Sequence, residues 1–147
     1  MTGEALPAGM PTTAGTIGHV SPQEVRLLVI DDDPVIVDLL RVNFEIEGFE
    51  VASAADGQEG LERARAERPD LILSDIMMPR VDGLQLLSQL RSDPVTAGIP
   101  VVLLSAKAQN AEVQRGLALG ADDYVTKPFD PLELLDRVNA VLDAHRD

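Results

Sequence analysis

The sequence predicts a three-layer α/β sandwich, a parallel sheet covered by helices on both faces. Two observations carry that expectation. Short apolar runs recur along the chain and are continuous rather than alternating, as in strands buried on both sides. Between them stand segments whose apolar residues repeat at helical spacing, so that each strand returns to the sheet through a helix.

The first run, Leu27-Leu28-Val29-Ile30, ends in Asp31, Asp32 and Asp33. Pro34 suits the first turn of the next helix, in which Val35, Leu39, Val42 and Ile46 form the apolar stripe. A second strand, Phe49 to Ala52, ends blandly at Ser53-Ala54. Gly57 to Glu67 is a helix rich in Ala, Glu and Arg that Pro69 cannot continue. The third strand, Leu71-Ile72-Leu73, runs through Ser74 into Asp75, after which Asp82 can cap a helix carrying Leu84, Leu87 and Leu90. Val101 to Leu104 is the fourth strand and ends at Ser105. The helix over Ala111 to Leu119 is the poorest, with Gly116 inside it and Gly120 at its end. Tyr124-Val125 is a weak fifth strand followed by Lys127-Pro128, and a last helix from Pro131 shows Leu135, Val138 and Leu142 at core spacing.

At 147 residues and 45% hydrophobic, the chain fits one domain, expected over 25–145. Residues 1–24 are Gly-, Pro- and Thr-rich, lack Lys and Arg, and show no hydrophobic period; a disordered N-terminal tail is expected there. With 25 acids against 12 bases, the net charge of −13 argues against direct contact with nucleic acid, whose phosphates it would repel. The absence of cysteine excludes disulfides, thiolate catalysis and zinc–thiolate sites, and two histidines are too few for a multi-histidine metal site. No apolar run approaches the ~20 residues of a membrane span, and Arg26 is the first basic residue, so a signal peptide's basic region is missing. A cytoplasmic protein without membrane contact is expected.

Ligand sites of parallel sheets lie beyond the carboxyl ends of the strands. Those ends bear Asp31, Asp32, Asp33, Asp75, Ser105 and Lys127. Two carboxylates 4 Å apart repel by ~4 kcal/mol at an effective dielectric of 20, so a cluster of them wants a hard divalent cation with oxygen ligands, for which Mg²⁺ is suited. Lys127, one of two lysines in the chain, stands beside them as a point charge for anionic oxygen. Purely structural roles account for less: Asp33 serves as a helix cap, Tyr124 as a half-buried strand residue, and Met77 and Met78 as gap fillers.

Leu28-Val-Ile-Asp31-Asp32-Asp33, Leu73-Ser-Asp75-Ile-Met-Met-Pro79, Leu104-Ser105-Ala106 and Gly120-Ala-Asp-Asp-Tyr-Val-Thr-Lys127-Pro128-Phe129 together resemble the receiver domain of bacterial two-component response regulators, in its stand-alone form. The resemblance runs from about Arg26 to Ala144. It implies a flavodoxin-like (βα)₅ fold with strand order 2-1-3-4-5, for which the chemotaxis receiver is a standing example. It further implies that Asp75 is the phosphoacceptor, and that Asp32, Asp75 and the Met77 carbonyl ligate Mg²⁺, with Asp31 acting through water. Ser105 and Lys127 then hold phosphoryl oxygens, the Lys127–Pro128 peptide is cis, and Ser105 and Tyr124 form the switch pair. Such a protein is not a turnover enzyme: it catalyses only its own phosphorylation and dephosphorylation. Its implied partners are a sensor histidine kinase or phosphotransfer protein and a downstream protein effector, met through the surface of the fourth helix, fifth strand and fifth helix. A monomer or weak phosphorylation-dependent homodimer is implied. Met77 and Lys107 stand where the family tunes acyl-phosphate lifetime. Asp123, Glu133 and Arg137 partly resemble a dimer face, although Glu133 and Arg137 are also an ordinary i,i+4 pair.

A rival reading is a haloacid-dehalogenase-like phosphohydrolase with Asp31 as nucleophile in Asp31-Asp32-Asp33. It leaves Asp75 unused and reverses the order of the later acids and lysine. A flavodoxin-like cofactor binder is excluded by three acids where a phosphate loop needs donors.

Overall fold

The computed structural model describes residues 25–106 and 110–145. The tail expected over 1–24 and Lys107 lie outside the described residues. Within them, strands and helices alternate: β1 (Arg26–Ile30), α1 (Pro34–Ile46), β2 (Glu50–Ala54), α2 (Gly57–Glu67), β3 (Leu71–Asp75), α3 (Gly83–Ser92), β4 (Val101–Ala106), α4 (Asn110–Ala118), β5 (Asp123–Lys127) and α5 (Pro131–Ala144). The strands form one parallel sheet in the order β2-β1-β3-β4-β5, as the resemblance implied.

Continuous apolar runs make this sheet because alternate residues feed opposite faces. Leu27, Val29, Leu71, Leu73, Val102 and Leu104 pack with Leu40 and Phe44 of α1 and Leu134, Val138 and Val141 of α5. Leu28, Ile30, Ile72 and Leu103 turn the other way, onto Ala64 of α2, Leu86, Leu87 and Leu90 of α3, and Val113 of α4. Among the described residues, Phe44 packs edge-to-face on Phe49, with centroids 5.2 Å apart.

Four of the helices start on an aspartate. Asp33, Asp56, Asp82 and Asp130 each accept a backbone N–H of the first turn, and Asp82 shares a full capping box with Gln85. Much of the chain's acidity near the strand ends is therefore spent on helix starts.

The stripe expected to cover the core on α1 faces outward instead. Val35, Leu39, Val42 and Ile46 are exposed, by 71, 39, 55 and 74%, while Leu40 and Phe44 are buried with Ile36 and Val37 packed beside them. This helix carries two apolar stripes, and hydrophobic period alone does not say which meets the sheet. The stripe holding the phenylalanine does, because it buries more area and seats Phe44 against Phe49. Likewise Leu134 and Val141 of α5 are more deeply buried than the anticipated Leu135 and Leu142, which pack at the margin. Leu40→Ala is expected to cost about 2–5 kcal/mol in urea unfolding, as for a buried leucine. Val42→Ala should stay within about 0.5 kcal/mol, as for an exposed site; equal losses would contradict this orientation of α1.

Candidate functional site

The sheet brings the sequence-predicted acids together. β1 and β3 are neighbours, so the chain leaving Ile30 and the end of β3 lie side by side. Asp31 is held there by its own backbone, whose N–H donates to Ala54 O at 3.1 Å, and by its carboxylate, which accepts the Asp33 N–H at 2.9 Å. Asp75 closes β3 opposite Leu104 of β4, and the next N–H, of Ile76, donates to Leu104 O at 3.0 Å. Asp31 and Asp75 are buried and Asp32 is exposed; one carboxylate oxygen from each of the three lies within 4.8 Å of the others. Three hard oxygen donors with one side open fit a divalent cation that keeps part of its water shell.

Lys127 reaches this cluster from the far end of β5, across β4. Its Nζ lies 3.2 Å from Asp31 Oδ2 and 3.3 Å from Asp75 Oδ1. The Lys127–Pro128 peptide is cis. Ser105 is buried in β4 one residue past the partner of Asp75, and the parallel register sets it opposite Thr126. Tyr124 is half-buried against the α2–α3–α4 face. The Met77 side chain is exposed by 60%, whereas Met78 fills the core.

Burial, then the neighbouring Asp31 charge, pushes the Asp75 carboxyl above its ordinary value; Lys127 pulls it down without prevailing, and Asp32 adds to the rise. Burial alone would lower Lys127, but the Asp75 and Asp31 carboxylates outweigh it and hold the ammonium above its ordinary value. Lys127 thus keeps its charge, while burial and a second carboxylate leave Asp75 raised in spite of it.

Sequence reasoning missed several contacts. Arg137 of α5 forks onto Asp123 of β5, with Nε to Oδ2 at 2.7 Å and Nη2 to Oδ1 at 2.8 Å, and also reaches Tyr124 O at 3.2 Å. Glu133, its i,i+4 neighbour, stands farther off at 3.8 Å. Arg80, at φ 66°, reaches across to Asp56 at 3.0 Å. These links join residues 14 and 24 positions apart, for which local spacing gives no signal.

The comparisons agree with this geometry. A family model described as the response regulator receiver domain matches residues 27–139. The chain belongs to the response-regulator receiver family. The "DNA-binding dual master transcriptional regulator RpaA" of a Synechocystis strain is 49% identical over 117 residues, covering 80% of this chain and 48% of that protein. The "alkaline phosphatase synthesis transcriptional regulatory protein PhoP" of Bacillus subtilis is 45% identical over the same shares. The chain thus spans about half the length of these curated relatives. Among solved structures, the receiver domain of the Francisella response regulator 1452 superposes with TM-score 0.77 at 37% identity, covering 84% of this chain and all of that one. The chemotaxis protein CheY4 of Vibrio cholerae gives 0.75 at 32%, covering 80% of this chain and 98% of that one. This family match leaves the phosphohydrolase reading with Asp31 as nucleophile without support. Among the described residues, no helix is long and apolar enough to cross a membrane.

An acid whose folded pKa is raised binds its proton more tightly folded than unfolded. Its ionisation therefore removes stability as pH rises from the ordinary value of 3.8 through the folded one. Asp75→Asn is thus expected to unfold at higher urea than wild type at pH 7 in chelator, with the advantage shrinking as the pH approaches 3.8. A variant less stable than wild type at pH 7 would refute the raised value.

Proposed function

We propose that Asp75 accepts a phosphoryl group and that the signal leaves through α4, β5 and α5. One observation supports this above the rest: a single buried carboxylate, less acidic than usual, ends β3 between an acid pair and a shared ammonium. An Asp75 oxygen attacks phosphorus in line, forming an O–P bond as the bond to the donor breaks, with a phosphohistidine of a sensor kinase or phosphotransfer protein as the natural donor. Lys127 passes from Asp75 to an equatorial phosphoryl oxygen and Ser105 donates its hydroxyl to another. Asp32, Asp75 and the Met77 carbonyl would hold Mg²⁺, with Asp31 acting through water, and the ion would supply positive charge against that building on the phosphoryl oxygens. Water later cleaves the acyl phosphate, so the protein switches itself without turning over an external substrate.

The exposed α1 stripe begins at Val35, two residues past Asp33, and supports docking of the donor protein beside the acid pocket. On the output side, movement of Ser105 toward the phosphoryl group draws Tyr124 inward, and α4 is re-presented to a protein effector. The protein is read as cytoplasmic, as a monomer or weak phosphorylation-dependent homodimer, and as acting without direct nucleic-acid contact; DNA binding is stated of the relatives.

With acetyl phosphate and Mg²⁺, intact-mass measurement should show one added phosphoryl group on wild type and none on Asp75→Asn. Labelling of the variant at the wild-type rate would overturn the assignment. Lys127→Ala is expected to keep Mg²⁺ binding but to lose most of the amide chemical-shift response of α4 and β5 to beryllofluoride, since the ammonium links β5 to the phosphoryl site without being a metal ligand. An undiminished response would remove Lys127 from the coupling.

A further inference from the structure

The segment joining β3 to α3, residues 76–82, leads away from Asp75 and includes Met77. Both helices that flank it begin on glycine: Gly57 opens α2 and Gly83 opens α3. Glycine is the poorest helix former after proline, so local propensity explains neither. Close approach does. A β-carbon on Gly83 would overlap the carbonyl oxygen of Asp75 and stand 2.8 Å from Ile76 Cα and 3.2 Å from the Asp75 carbonyl carbon. These are backbone atoms of the phosphoacceptor and its neighbour, and no rotamer change can clear them. The Gly83 N–H donates to Ile76 O at 2.8 Å, which closes the segment into a ring.

On the other side, a β-carbon on Gly57 would overlap the Val81 carbonyl oxygen and stand 2.7 Å from Val81 Cγ1 and 2.9 Å from its Cβ. Next to that contact, Arg80 reaches Asp56, the cap of α2. The segment is thus pressed between the first turns of two helices, and one pressure point is the backbone of Asp75.

We propose that Gly83 and Gly57 are positioning residues for the phosphorylation site. Lacking side chains, they let the starts of α3 and α2 seat the loop directly, which fixes the Asp75 carboxylate and the Met77 carbonyl relative to Asp32. A methyl group at residue 83 must push either α3 outward or Asp75 along its strand. Misplacement of a reacting group by ~1 Å can cost ~10²-fold in rate. The inference rests on Asp75 being the phosphoacceptor and a metal ligand.

The test compares Gly83→Ala, Gly57→Ala and Gly116→Ala in the full chain. Gly116 is the control: a β-carbon there also overlaps a neighbour, but the atoms it meets, Leu103 Cδ1 and Leu84 Cδ2, are side-chain ends beneath α4. Mg²⁺ affinity is read from amide chemical shifts, labelling rate with acetyl phosphate from intact mass, and stability from urea. Gly83→Ala should bind Mg²⁺ about tenfold more weakly, at the lower end of what loss of a supporting residue costs a metal site, and should label more slowly by roughly 10–100-fold. Gly57→Ala should show the same changes more weakly, and Gly116→Ala should keep wild-type Mg²⁺ affinity whatever stability it loses. Wild-type affinity in folded Gly83→Ala, or a loss that tracks destabilisation in all three variants, overturns the proposal.

If Gly83→Ala does not fold, Asp82→Ala decides. It removes the capping box that holds the first turn of α3, in which Gln85 N–H donates to Asp82 at 2.8 Å and Asp82 N–H to Gln85 at 3.0 Å, and it adds no atom near Asp75. Weakened Mg²⁺ binding supports the proposal and unchanged binding overturns it. A wild type that neither binds Mg²⁺ nor labels at Asp75 counts against the functional reading; a wild type that does both, with indistinguishable variants, counts against the positioning role alone.

Discussion

Two buried carboxylates share one ammonium, and a third carboxylate stands beside them. Lys127 stands 3.2 Å from Asp31 and 3.3 Å from Asp75, and Asp32 completes the triad at the open side. At such spacings each like-charge pair costs on the order of 4 kcal/mol at an effective dielectric of 20, and a single cation cannot offset every pair. Burial first, and then this imbalance, hold the Asp75 carboxyl above its ordinary value. A site in this condition gains from any further positive charge. What it needs from the fold is rigidity enough to keep like charges together.

Parallel topology supplies that rigidity. β1 and β3 are neighbours, so the two acid-bearing strand ends adjoin without any long excursion of chain. Every residue of β3, and all of β1 except Arg26, is buried. Aliphatic residues filling both layers anchor the backbone from below, and helices capped by Asp33, Asp56, Asp82 and Asp130 turn back at the same edge. The acids at this edge divide by task. Those at strand termini face one another, whereas those at the last loop position bind helix N–H groups. Asp31 does some of both, since its carboxylate accepts the Asp33 N–H and also meets Lys127.

Part of this division was legible in the sequence, with Asp33 and Asp82 readable as caps though Asp56 and Asp130 were not, because it depends on chain position. Apolar runs mark strands, and the residues that follow a run stand at the sheet edge, which places Asp31, Asp75, Ser105 and Lys127 there from sequence. Rotation of a helix with two apolar stripes was not legible, because Val35, Leu39, Val42 and Ile46 satisfy the helical period as well as the buried set does. Phe44 tips the balance only through Phe49, which lies beyond the helix end. Nor could spacing announce the Arg137 fork on Asp123, a long-range contact of two surface-type side chains. Gly83 was hidden for another reason: a glycine after an N-cap reads as a weak helix start, and its close approach to the Asp75 backbone appears only once the chain is folded.

The two halves of the molecule differ in how firmly they are held, and the difference runs through Lys127. β3 is buried throughout, but β5, at the sheet edge, has only Val125 buried. α4 is short and lies close to β4 because Gly116 leaves space for Leu103. Displacing an element costs roughly in proportion to the apolar contact it gives up, so β5 and α4 move more cheaply than β1 or β3. β5 does not move alone, since the Arg137 fork ties Asp123 and the Tyr124 carbonyl to α5. The Asp75 end of the Lys127 contact thus lies in the core, and the lysine end lies on the strand with the fewest buried residues. The contact between Asp75 and Lys127 therefore joins a fully buried strand to a mostly half-buried one, and the Arg137 fork carries that link on to α5.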